Sequence, residues 1–160
     1  MKNNFQFTYP MGFFYGASQG NIFSYGFFIA INANLTYRMY WNCGIGKNTK
    51  AEVVALYSLL WFNNFLGNLT LHIYGDSRII IDQVLGRASI NNPRLQGWME
   101  RIELLWKSQD NYTIQHIGRC LNKDAYRLSK KGLQGDNEKW FLEITWEQIN
   151  CDMEDLPNPG

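Results

Sequence analysis

A chain of 160 residues that is 46% hydrophobic and 16% aromatic has the length of one compact domain and is too apolar for a disordered tail or linker. Six Trp, nine Tyr and ten Phe supply enough core to make disulfide staples or a structural metal unnecessary, and Cys43, Cys120 and Cys151 are far apart without C-x-x-C spacing. The net charge of +1 hides an asymmetry: fourteen bases and seven acids precede residue 136, a net of +7, whereas residues 136–160 hold seven acids and one base, a net of −6.

The opening MKNNFQFTYP has neither the apolar core nor the cleavage site of a secretory signal, and it reads as a loose lead over residues 1–10. Met11 to Tyr15 is a short apolar strand. Ser24 to Ile31 alternates with Tyr25, Phe27, Ile29 and Ile31 on one face, and Thr36 to Asn42 does so with Tyr37, Met39 and Trp41. Gly16 to Asn21 and Asn32 to Asn34 carry turn chemistry, so the three strands form an antiparallel meander. From Thr49 the period changes. T-K-A-E is a capping box, Thr49 as N-cap and Glu52 three residues on, opening a helix that is apolar nearly all round to Leu66.

Leu69 to Tyr74 alternates again and ends in Gly75-Asp76-Ser77, and Ile79 to Leu85 is a short helix closed by Gly86. Asn92-Pro93 restarts helix, with Leu95, Trp98, Met99, Ile102, Leu105 and Trp106 as its apolar stripe. Tyr112 to Ile117 is a fifth strand and Asn122 to Lys131 a final helix. The order βββ-α-β-α-α-β-α predicts an α/β fold in which a meander feeds parallel strands. We therefore divide the chain into the lead, a domain over 11–133 and an acidic C-terminal tail over 134–160, where Trp140, Phe141, Ile144 and Trp146 can clip the tail to the body.

No stretch approaches the roughly 18 apolar residues of a membrane span, which predicts an intracellular protein, nuclear or cytoplasmic, not secreted and without a membrane partner. The three Asn-x-Thr triplets at Asn34, Asn68 and Asn111 are then chance products of an Asn-rich chain. Gly44-Ile45-Gly46-Lys47-Asn48 is not a phosphate loop, since Trp41 and Asn48 stand where Gly and Ser or Thr are required. The basic body suits a polyanion, because each cation set against a phosphate releases counterions.

Among the carboxylates, Asp76 follows an apolar strand, the place where polar groups line the ligand crevice of an open α/β sheet. Taken alone, Asp76 reads as a helix N-cap beside Ser77, and Glu52 as the capping-box partner of Thr49. Together with the element order, the pair points to a site.

FFYGASQGN (13–21), TKAE (49–52), YGDS (74–77), NNPRL (91–95) and IGRCLNKDAYRLS (117–129), in that order, resemble the retroelement type of ribonuclease H domain, the reverse-transcriptase-like group common in plants. The resemblance runs from Pro10 to about Leu133. It implies a ribonuclease H-like fold, a five-stranded mixed sheet flanked by helices, and an RNA/DNA hybrid as substrate. It also implies two Mg²⁺ ions held by four carboxylates around one scissile phosphate. Glu52 and Asp76 fall at the second and third ligand positions. The first should be the Asp of F-D-G-A-S and the fourth the Asp of R-x-x-N-x-x-A-D-x-L. Here Tyr15 stands at the first, and Arg119, Asn122, Ala125 and Leu128 set a register that puts Tyr126 at the fourth.

Asp124 cannot substitute, because two residues along a helix are about 200° of rotation. A phenol is neutral near pH 7 and ligates Mg²⁺ poorly, so the two-ion site should not assemble, and Glu52 with Asp76 would hold a weak or single ion at best. Nucleic-acid binding can outlast that loss. The resemblance sets the turn with Ser18, Gln19 and Asn21 near the RNA strand, and Arg119 and Asn122 are further nucleic-acid-binding candidates. Arg78, Arg87, Arg94, Lys123 and Arg127 could track a backbone, although each alone reads as a solvated charge. Tyr15 and Tyr126 are core packing or stacking platforms. His72 reads as a strand-face residue, and His116 matches H-x-x-R without a catalytic role of its own.

The sequence thus predicts a ribonuclease H-like domain that binds an RNA/DNA hybrid or RNA and has lost hybrid cleavage. The alternatives are an active or residually active hybrid ribonuclease and a protein-interaction module in which the acidic tail covers the basic face or docks elsewhere.

Overall fold

A computed structural model of the chain describes residues 7–45, 48–89, 92–108, 111–134 and 140–146. Two hairpins open it. β1 (Met11–Gln19) turns through Gly20 and Asn21 into β2 (Ile22–Asn32), with Gln19 opposite Ile22, and Gly20 takes a φ of 62° that a side chain would resist. β2 turns into β3 (Leu35–Ile45), where the Asn32 side chain accepts from the backbone N–H of Asn34 (2.8 Å) and Leu35 (3.0 Å). β1 is longer than the sequence suggests. Gly16 to Gln19 continue the strand, and only Gly20 and Asn21 make the turn.

Six strands stand in the order β5-β4-β1-β2-β3-β6, with β4 (Thr70–Gly75) and β5 (Asn111–His116) parallel to β1. The sequence predicts five. The sixth, β6 (Trp140–Trp146), pairs antiparallel with β3 from Trp41↔Trp140 to Leu35↔Trp146, and Phe141 stacks on Tyr40 at 4.8 Å. It spans the four residues named above as a clip. A strand forms because β3 otherwise presents an unpaired ladder at the sheet edge.

One face of the sheet buries Tyr25, Phe27, Ile29, Leu71 and Ile73 under α1 (Asn48–Phe65). α1 is apolar on most sides because α3 (Pro93–Lys107) packs beside it, Tyr57 meeting Trp98 edge to face at 5.4 Å. α1 begins one residue before Thr49, and the Thr49 side chain, hence the capping box, lies outside the described residues. α3 starts as predicted, with the Asn92 side chain accepting from Arg94 N–H at 3.0 Å and Pro93 following.

The opposite face buries Phe13, Ala30 and Tyr74 with Ala125 of α4 (Lys123–Gln134), which runs beyond the expected Lys131. A Ser24 hydroxyl on β2 donates to the Ser129 carbonyl of α4. Of the lead, Phe7 packs edge-on against Phe13 (5.1 Å) and Tyr74 (4.9 Å), and the Pro10 carbonyl accepts from His72 N–H at 2.9 Å. Residues 7–10 are therefore docked on the sheet. α2 (Arg78–Val84) follows β4. No helix among the described residues is long and apolar enough to cross a membrane.

Among the described glycines, the tightest surroundings are at Gly16, where β1 meets α1. A Cβ there would stand 2.2 Å from the carbonyl carbon of Ala51 and from the Glu52 nitrogen, both backbone atoms that cannot rotate aside. Gly16→Ala should lower stability at or above the top of the usual range of about 1–3 kcal/mol for overpacking. Gly97→Ala, in open space within α3, should raise it by about 0.5–1 kcal/mol through helix propensity. Denaturant midpoints of the two variants check the contrast.

Candidate functional site

β1 keeps its ladder to β2 as far as Gln19, but its ladder to β4 stops at Phe14↔Gly75. Beyond that pair the parallel strands separate at their carboxyl ends, and the crevice receives Tyr15 from β1, Asp76 and Ser77 from the turn after β4, and Glu52 from the first turns of α1. The 3₁₀ turn Arg119–Leu121 and the start of α4 close it with Arg119, Asn122 and Tyr126. Glu52 reaches in only because Gly16 lets α1 lie on β1.

Asn122 ties the crevice together. It is 1% exposed, and its amide donates to the Phe14 carbonyl at 2.9 Å, where the β1–β4 ladder ends, and to the Asp76 carboxylate. The Asn122 carbonyl in turn accepts from Tyr126 N–H at 3.1 Å, starting α4 at the site. Asp76 also faces Arg119, whose Nε lies 3.6 Å from Oδ2; the Asp76 side chain is 9% exposed and that of Arg119 74%. The Arg119 guanidinium sits 5.9 Å from the centre of the Tyr15 ring. Tyr15 meets Tyr126 edge to face, with centroids 5.1 Å apart and planes at 78°.

Burial raises the Asp76 carboxyl above its ordinary range, opposed by the Arg119 charge beside it and by a hydrogen bond from Asn122. Burial also raises Glu52, with the Asp76 charge adding to it, while the Ser77 hydroxyl and Arg119 work the other way. Ser77 thus serves Glu52 instead of capping α2, where its side chain makes no cap bond. The Tyr15 phenol is pushed up, first by burial, and stays neutral. Among the described residues no three His, Cys, Asp or Glu side chains come together as a metal-holding group.

A family model described as reverse transcriptase-like matches residues 40–132, more than half of the chain. The chain belongs to the reverse transcriptase-like family. The matched segment holds Glu52, Asp76, Arg119, Asn122 and Tyr126, while β1 with Tyr15 precedes it. No curated protein matches. Among solved structures, RNase H1 of the archaeon Halobacterium salinarum is 27% identical and covers 78% of this chain and 96% of its own, at a TM-score of 0.71. The N-terminal RNase H domain of a Mycobacterium tuberculosis protein is 22% identical over 78% and 94%, also at 0.71. LC11-RNase H1, solved in complex with an RNA/DNA hybrid, is 21% identical over 78% and 96%, at 0.72. The fold of this family member is thus that of RNase H, with a mixed sheet flanked by helices.

The remaining candidates lie around the crevice or away from it. Ser18 is half-buried on β1 and not in a turn; Gln19 and Asn21 are exposed at the hairpin tip. Arg78 Nη2 lies 3.2 Å from His116 Nδ1 at the ends of β4 and β5, beside Asp76. His72 Nδ1 lies 2.9 Å from Thr113 Oγ1 on the sheet face. Arg87 and Arg94 are exposed at the far end of α2 and the start of α3, and Cys120 is a free, exposed thiol. Asp124 and Arg127 line a furrow between α4 and the β3–β6 edge with Arg38 and Lys131, so Asp124 points away from the side of α4 that carries Tyr126.

The electrostatics make a test of stability. Glu52 has a higher pKa in the folded chain than in the unfolded one, so the folded state holds its proton more tightly. Its ionisation therefore costs stability as pH rises through the folded value, and the cost is absent below its ordinary 4.5. Glu52→Gln should melt about 1–3 °C above wild type at neutral pH, with the gain vanishing towards about pH 4. Thermal melts across that range read the difference directly.

Proposed function

We propose that this reverse transcriptase-like domain binds nucleic acid, an RNA/DNA hybrid or RNA, across the crevice at the ends of β1, β4 and β5, and that it does not cleave by the two-metal route. The observation that carries this reading is the edge-to-face pair of Tyr15 and Tyr126, 5.1 Å between centroids, which fills with two neutral rings the positions where the family resemblance implies two carboxylates.

The Mg²⁺ that the resemblance implies would supply charge to an attacking water and a leaving oxygen. The donor set does not fit a pair of such ions. Glu52 and Asp76 are both pushed by burial towards their protonated forms, and Asp76 already faces the Arg119 cation. Two divalent ions would bring +4 to a pocket offering at most −2, less the Arg119 charge. A single, weakly held ion is the most these residues offer.

Binding needs less. The Arg119 and Arg78 guanidiniums and the exposed Gln19 and Asn21 side chains can meet phosphates and 2′-hydroxyls, and the segment before residue 136 carries a net of +7. LC11-RNase H1, of the same fold, holds an RNA/DNA hybrid. A second reading, a protein-interaction module, has its own support in Leu142, Ile144 and Trp146, apolar and exposed along β6. It takes over if no nucleic acid binds.

The purified chain with Mg²⁺ or Mn²⁺ should leave a labelled hybrid intact while binding it, the affinity falling roughly tenfold or more between about 50 and 200 mM salt. Turnover by the wild type that Glu52→Ala abolishes would sink the reading. Tyr15→Asp together with Tyr126→Asp should restore metal-dependent cleavage, and a silent double variant places the loss in more than the missing ligands.

A further inference from the structure

Arg119 stands on the 3₁₀ turn between β5 and α4, and its head group lies between an anion and a ring. Nε approaches Asp76 Oδ2 at 3.6 Å, and the guanidinium carbon is 5.9 Å from the centre of Tyr15. With the Arg119 side chain 74% exposed and that of Asp76 9%, anything entering the crevice meets the cation before the carboxylate. We infer that Arg119 grips a backbone phosphate of the bound nucleic acid directly, at the mouth of the Asp76 crevice, so that binding needs no divalent ion. The inference rests on the nucleic-acid reading above and adds to it the contact and its metal independence.

Three observations converge on it. The donor edge of Arg119 is engaged on one side only: a guanidinium has five N–H donors, and the Nε edge turned to Asp76 leaves the paired Nη groups for two oxygens of one phosphate. Its perch is rigid, because the turn runs into Asn122, which is buried and bonded to the Phe14 carbonyl. Further positive charge lies alongside, since Arg78 sits two residues after Asp76 with its Nη2 at His116. The Asp76 carboxylate does not repel a phosphate as an open one would, because the Arg119 guanidinium stands against it. The guanidinium thus supplies, as part of the chain, the positive charge that a metal ion would bring from solution.

Fluorescence anisotropy with a labelled RNA/DNA hybrid tests this in EDTA and in Mg²⁺. Wild-type affinity should agree within about twofold between the two. Arg119→Ala should lose about tenfold in affinity, and its plot of log affinity against log salt should flatten by about 0.9, the share of one neutralised phosphate. Arg119→Lys keeps the charge without the fork, so the slope should stay while part of the affinity goes. A merely structural role would not move the salt slope, and an unchanged melting temperature for Arg119→Ala separates lost contact from lost fold. Binding that requires Mg²⁺, or an Arg119→Ala variant with wild-type affinity and slope, overturns the inference alone. A wild type that binds neither the hybrid nor RNA in either buffer overturns the proposed function, and the phosphate contact with it.

Discussion

Backbone touches backbone where β1 passes under α1. At Gly16 there is no room for a methyl group, since its position would fall 2.2 Å from both the Ala51 carbonyl carbon and the Glu52 nitrogen. That contact fixes the height and angle of α1 over the sheet. It buries Ala51, Val53, Ala55, Leu56, Leu59 and Leu60 and sets the Glu52 carboxyl beside the turn after β4. The site is therefore a by-product of packing: the glycine that seats the helix also delivers the carboxylate. Asn122 performs the matching task on the opposite face of the sheet, joining α4 to β1 where the β1–β4 ladder ends.

Between these two attachments the crevice has a fixed frame and a charge balance set by its occupants. A crevice with four ionised carboxylates would be self-repelling until cations arrived, and each carboxylate would pay desolvation as well. Here burial dominates at both Glu52 and Asp76, and a guanidinium carried by the chain stands at the second. Such a pocket carries less negative charge than a four-carboxylate one. On the proposed reading it receives one more anion on its exposed cation, not two more cations among its acids.

Much of the fold can be read from period and punctuation. Tyr25, Phe27 and Ile29 alternate because one face of β2 lies under α1, and Asn92-Pro93 starts α3 through a cap bond that needs only local chain. What escapes the sequence is decided at long range. Gly16 reads as a turn residue, since period and propensity cannot distinguish a glycine that bends the chain from one that admits a helix. The segment from Trp140 to Trp146 reads as an apolar clip in an acidic tail, because its partner is β3, about a hundred residues earlier. Phe7 looks loose until Phe13 and Tyr74 are brought to it. At the site, the family resemblance puts Tyr15 and Tyr126 at positions of one pocket, where the two rings meet, and helical rotation turns Asp124 towards the β3–β6 furrow. The Arg119–Asp76 contact and the Ser77 bond to Glu52 have no such signature. Both depend on how closely the turn after β5 and the start of α1 approach the end of β4.

On the proposed reading, the two tyrosines do more than mark an absence. Where clustered carboxylates repel, an edge-to-face aromatic pair attracts, by about 0.5–1.5 kcal/mol beyond the surface it buries. Exchanging the first for the second removes a cost that only bound metal could offset, and it makes the fold independent of metal supply. Stability and catalysis oppose each other at such a site, because the arrangement that binds two cations is strained without them. Relieving that strain through Tyr15 and Tyr126, while Asn122 and Arg119 keep their places, leaves the RNase H frame and its approach surface standing. The frame that remains has a cation at its mouth and aromatic rings beside it, which on that reading suits it to hold a nucleic-acid backbone without cutting it.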